Sequence, residues 1–170
     1  MRNHLVRQIT ASLLALALMA SATLPARADE SRQFNAIYNC TFALTPDASL
    51  PANVLGKDIT GKGFNTLLGE STVHFVGTIN LNPNPFTIAG VTTITDADGD
   101  ELYATTTGTV TPAQHDGTLV RLDYDYVFTG GTGKFSRAAG RAHVFGCAVF
   151  QTALSGTASW AMEGELRRRR

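Results

Sequence analysis

Val120-Arg121-Leu122-Asp123-Tyr124-Asp125-Tyr126-Val127-Phe128 decides the fold of this chain. Successive side chains of an extended strand point to opposite faces, so Val120, Leu122, Tyr124, Tyr126 and Phe128 share one side. Arg121, Asp123 and Asp125 share the other. This alternation belongs to a strand with one face in a core and one in water, the usual state of an antiparallel sheet.

The same period of two extends in both directions. Runs rich in Thr, Val, Phe and Tyr occur at about Phe34 to Phe42, Ser71 to Asn80, Phe86 to Thr95, Glu101 to Val110, Arg141 to Phe150 and Ala153 to Met162, with a short strand near Ile59 to Asn65. Together they predict eight strands. Asp98-Gly99 and Asp116-Gly117 suit turn positions that need positive φ, and Asn82-Pro83-Asn84-Pro85 cannot continue a ladder, so most connections are hairpins.

Sequential antiparallel strands either stack as a sandwich or close as an up-and-down barrel. Gly77, Gly90, Gly108, Gly146 and Gly156 fall in the middle of apolar faces. Glycine weakens a strand interior, so its repeated use there points to sharp coiling around a crowded axis, and hence to a single eight-stranded antiparallel barrel. Pro46 to Lys57 and Gly130 to Gly140 interrupt the pattern and read as loops over the barrel ends. Ser136 to Ala139 is expected to form one helical turn.

The first 28 residues read as a secretory signal. Arg2 and Arg7 supply a positive start, Ile9 to Ala20 an apolar core and Ala26-Arg27-Ala28 a cleavage site. That core is about half the ~20 residues of a membrane-spanning helix. The reading predicts an exported protein, periplasmic or extracellular, that begins at Asp29 and does not span the membrane. Residues 29–166 would form the barrel domain and Arg167 to Arg170 a basic tail. The remaining chain carries 11 basic and 14 acidic residues, or 7 against 14 without the terminal arginines, so no nucleic-acid footprint is present.

Cys40 and Cys147 are the two cysteines, and an exported chain can oxidise such a pair. A disulfide between them would close a loop of about 107 residues, worth ~4–5 kcal/mol in the chain-entropy account. Two buried thiols are the alternative. His143, Phe145, Cys147 and Val149 share the face opposite Gly146, and that outer face calls for cover, from the N-terminal strand tethered through Cys40 or from a second subunit. Oligomeric state stays open.

The chemical motifs are weak. Gly130-Gly131-Thr132-Gly133-Lys134 lacks the spacing of a phosphate-binding loop. Asp96, Asp98, Asp100 and Glu101 depart from the calcium-loop pattern, and His74, His115 and His143 lack metal-ligand spacing, so no metal and no cofactor is expected. Asn39-Cys40-Thr41 is a glycosylation sequon placed inside a strand, and is read as incidental. No nucleophile elbow occurs and no catalytic residue can be assigned.

Gly61-Lys-Gly-Phe-Asn-Thr-Leu-Leu-Gly69, Ala97-Asp-Gly-Asp-Glu-Leu-Tyr103 and Tyr126-Val-Phe-Thr-Gly-Gly-Thr-Gly-Lys-Phe135 with Ala139-Gly140 resemble, in that order, segments of bacterial secreted proteins of the allene-oxide-cyclase-like barrel group. The resemblance implies a calycin-type barrel with a partly apolar cavity and carries over no catalytic residue. Three functions follow as expectations. One is binding of a small apolar or amphipathic ligand, or of a partner, without chemistry, with Phe75, Tyr124, Tyr126, Phe150 and Trp160 as inward candidates. Another is a cyclase or isomerase that confines a polyene or oxylipin-like substrate. The third is a structural or surface-associated barrel.

Overall fold

The computed structural model describes residues 30–114 and 117–168. The signal segment, His115 and the last two arginines lie outside these residues. Eight strands follow in order: β1 (Glu30–Pro46), β2 (Val54–Asn65), β3 (Gly69–Asn80), β4 (Phe86–Asp96), β5 (Glu101–Pro112), β6 (Leu119–Gly131), β7 (Ala138–Thr152) and β8 (Ser155–Arg168). Each pairs antiparallel with its neighbour, and β1 returns to pair with β8, so the sheet is a closed barrel. Closure leaves no edge strand.

The alternation read from Val120–Phe128 runs through the whole wall. Even-numbered residues of β1 and β4 to β8 and odd-numbered residues of β2 and β3 face inward, where Phe34, Tyr38, Phe75, Ile94, Leu122 and Val144 are almost fully buried. Arg121, Asp123 and Asp125 face out. This polarity is the reverse of a membrane barrel, whose lipid-facing side is the apolar one. Among the described residues no helix is long and apolar enough to cross a membrane.

One hydrogen-bonded row of inward residues traces the barrel's shear. It passes from Phe86 through Val110, Leu122, Gly146, Trp160, Tyr38, Gly63 and Ser71, and returns to β4 at Asp96, ten residues beyond its start. The strands therefore tilt strongly about the axis, and walls bent this tightly bring facing backbones close. A Cβ on Gly146 would lie 2.2 Å from the Ser159 carbonyl oxygen and 2.6 Å from the Trp160 Cα. Gly77 and Gly90 are cross-strand partners beneath the Phe75 ring. Aromatic ring atoms likewise fill the space a Cβ would take at Gly63 (Tyr38), Gly108 (Tyr124) and Gly156 (Phe42).

Several expectations need correction. β1 continues through Pro46 and β2 begins at Val54, which narrows the first long loop to residues 47–53. Lys57 takes an inward position of β2 and so interrupts the apolar alternation that marks a strand. The single helical turn is a 3-10 turn at Gly133–Phe135, not at Ser136 to Ala139, because Phe135 is the side chain that plugs this end of the barrel. β8 runs through Arg168, so Arg167 and Arg168 belong to the strand and not to a tail.

The disulfide expectation fails. Cys40 is buried on the inner face of β1 and Cys147 is exposed on the outer face of β7. Strand β8 lies between them, with Ala158 beside Cys40 and Ser159 beside Cys147. Two strand spacings of ~4.8 Å and opposed Cβ directions exceed what a disulfide spans. The tethered cover for the outer face fails with it: β1 closes the wall edge to edge, and Phe145 and Val149 stay 42% and 43% exposed.

Candidate functional site

The two barrel ends are built differently. At the end carrying the β2–β3, β4–β5 and β6–β7 connections, two motifs that looked separate in sequence meet. Asp96 Oδ1 accepts hydrogen bonds from the backbone N–H groups of Asp98 (2.9 Å) and Asp100 (3.0 Å). Its other oxygen pairs with Lys134 Nζ, which also reaches Asp98 at 3.3 Å. The Lys134 backbone N–H donates to Asp100 (3.1 Å), and the Glu101 N–H donates to Thr132 Oγ1 (2.8 Å). Burial opposes ionisation of Asp96, but Lys134 and the two N–H donors outweigh it and hold the carboxyl below the usual carboxylate range. The acidic hairpin tip and the glycine-rich turn are thus joined through Lys134 in a clasp over Phe135.

The opposite end, where the β1–β2, β3–β4, β5–β6 and β7–β8 connections lie, is the candidate site. A depression of about 460 Å³ is lined there by Phe86, Pro112, Thr118, Val120, Phe150 and Gln151, among others. That volume lies within the ~300–1,000 Å³ typical of small-molecule sites. Larger grooves of about 750 and 700 Å³ run over the outer wall, among side chains such as Thr41, Lys62, His74 and Glu70. We favour the end depression because the interior beneath it holds polar groups with nothing to bond to.

Phe150 connects the depression to that interior. Its ring packs edge-on against Phe42, with centroids 4.9 Å apart, and Lys57 Nζ lies 5.6 Å from the Phe42 centroid and 6.0 Å from that of Tyr124. Lys57 is only 7% exposed, and no carboxylate pairs with it among the described residues. Burial alone pushes its pKa down to about 8. An amine in this setting is held by two ring faces, a weak substitute for the water it has left.

Deeper in, the Tyr124 hydroxyl and the Trp160 indole N–H are buried without a hydrogen-bond partner. Below them Tyr38 and Ser71 share a 2.8 Å hydrogen bond and Thr92 and Thr106 one of 2.7 Å, while the Asn65 amide nitrogen near the clasped end is also buried without a partner. Burial raises the Tyr126 hydroxyl far above its ordinary pKa, and hydrogen bonding to these two threonines offsets it only in part. Burial likewise pushes Cys40 up to about 12, which keeps its thiol protonated and unreactive.

Of the side chains singled out by sequence, Phe75, Tyr124, Tyr126 and Trp160 are buried in the interior and Phe150 is half-buried at the depression. Lys57 was missed. Its only trace in the sequence is a charged residue at an inward register position, visible once β2 is known to start at Val54. His74 and His143 lie on the outer wall beside Asp58 (3.1 Å) and Asp125 (3.3 Å), and no cluster of three metal-binding side chains occurs among the described residues. Asn39 faces outward and accepts a 2.6 Å hydrogen bond from Ser159. No family model, curated protein or solved structure matches this chain.

Proposed function

We propose that this protein is an exported barrel that binds a small amphipathic molecule at the end marked by Phe86, Val120 and Phe150, with polar contacts reaching inward to Lys57. The observation that supports this reading is the donor surplus beneath the depression. The Tyr124 hydroxyl and the Trp160 indole N–H are buried donors without protein acceptors, each costing about 1–3 kcal/mol when left unmade, and Lys57 is a buried amine with no carboxylate partner among the described residues. A ligand with an acceptor at one end and apolar surface at the other supplies what the fold leaves open.

Trp160 is the sole tryptophan and serves as a built-in reporter. Titration of the purified protein with medium-chain alcohols should shift or quench its fluorescence saturably, and native mass spectrometry of protein from its exporting host should retain a bound small molecule. A Trp160 signal indifferent to every amphiphile, together with a clean apo mass, removes this reading. Conversion of a polyene during the same incubation would support the cyclase reading, for which the Tyr126, Thr92 and Thr106 hydroxyl cluster provides buried polar contacts.

A further inference from the structure

We infer that Lys57 is a covalent carbonyl-capture residue: its side-chain amine forms an imine with an aldehyde or ketone carried by an apolar molecule that enters between Phe86, Val120 and Phe150. This rests on the reading of the barrel end as a small-molecule site and assigns its ligand class. Three observations carry it.

The amine is buried, faces the interior from β2 and has no carboxylate partner among the described residues. Its neighbours on every packed element are non-ionic at neutral pH: Leu44 and Phe42 on β1, Gly77 and Ile79 on β3, and Tyr124 on β6. A lysine desolvated among apolar groups has a larger unprotonated fraction near neutral pH than an exposed one, and that free lone pair is the requirement for nucleophilic attack on a carbonyl.

The side chains that line the depression carry no charge, and those that separate it from the amine are aromatic. Phe150 and Phe42 lie in sequence between the depression and Nζ. A neutral carbonyl compound crosses such a surface without the desolvation that a carboxylate would suffer. The charge of the molecule points the same way. From residue 29 onward the chain has 14 acidic and 11 basic side chains, a small acidic excess that disfavours an approaching anion.

The reaction is balanced within the site. The Nζ lone pair adds to the carbonyl carbon and a proton passes from nitrogen to oxygen, giving a carbinolamine. The carbon–oxygen bond then breaks, water leaves with the second amine proton, and a C=N bond remains. No oxidant or reductant takes part.

The chain has only three lysines, so the test reads cleanly: Lys62 is exposed on the outer wall and Lys134 is held by Asp96 and Asp98. Octanal with sodium cyanoborohydride converts any imine to a stable octylamine, mapped by peptide mass spectrometry, and octanol serves as the carbonyl-free control read by Trp160 fluorescence. The expected result is octylation of Lys57 at least about tenfold faster than of Lys62 at pH 7. Its rate should level off above about pH 8 while that of Lys62 keeps rising. In denaturant the preference should vanish. Lys57→Met should abolish the fast site, and Lys62→Arg should leave both the fast site and the octanol response unchanged. Octanol binding without preferential octylation of Lys57 overturns this inference and leaves the ligand-binding reading standing. Absence of both an octanol response and Lys57 preference overturns the two together.

Discussion

A single buried amine, Lys57, leaves a thermodynamic signature in its protonation. Lys57 has a folded-state pKa of about 8 against an ordinary 10.5. Between those values the unfolded chain binds more protons than the folded one, so the lysine's contribution makes stability rise with pH across that window. Below pH 8 the full deficit applies, ~3 kcal/mol from the size of the shift. Cys40 and Tyr38, both pushed up to about 12, act in the opposite direction. The effect is therefore read as a difference between two proteins. Lys57→Met should be more stable than the parent by about 1–3 kcal/mol at pH 7, with the gap closing between pH 8 and 10.5 in urea melts. A constant gap would mean that Lys57 is solvated. A buried lysine that lowers stability, with no carboxylate partner among the described residues, is the kind of local inconsistency that marks function.

At the level of strands, the wall depends on positions where no side chain fits. Gly146→Ala would press a methyl group against the β8 backbone at Ser159 and Trp160, and should cost about 2–3 kcal/mol or more. Gly69→Ala, at a turn with φ of 73° and open space around it, should cost only ~1–2 kcal/mol. Thermal melts of the two variants rank the effects, and equal losses would argue against the tight wall. Strand geometry also fixes the cysteines. Native protein should react with a thiol reagent quickly at Cys147 and slowly at Cys40, with two thiols in denaturant and no reductant. A thiol count of zero would require a different pairing of β1, β8 and β7.

Across the whole molecule the two ends are built differently. One is locked by the Asp96–Lys134 clasp over Phe135, and the other stays apolar and shallow above Lys57. Asp96→Ala should destabilise by about 2 kcal/mol through the lost ion pair and turn hydrogen bonds. Because the Asp96 carboxyl is held below its ordinary range, its contribution is present above the ordinary carboxylate pKa. It is lost as pH falls through the lower folded value. Acid titration of parent and variant should therefore converge only at strongly acid pH. Octanol binding at the far end should survive Asp96→Ala, since the clasp lies at the other end of the barrel. Alternation along Val120–Phe128 and its counterparts was enough to specify eight strands, because a period of two records directly which side of a wall is wet. The inward glycines carried the closure for the same kind of reason: they are needed only where backbones crowd. The site was much less legible. Lys57 read as a loop residue until β2 was seen to extend back to Val54, and the acidic tip and the glycine-rich turn, more than thirty residues apart, showed no sign of meeting. Local periodicity is written residue by residue in the chain and so determined the strands. Which side chains share an end, which amine lacks a partner and whether two cysteines face one another depend on register and closure around the barrel, and only the tertiary structure decides those.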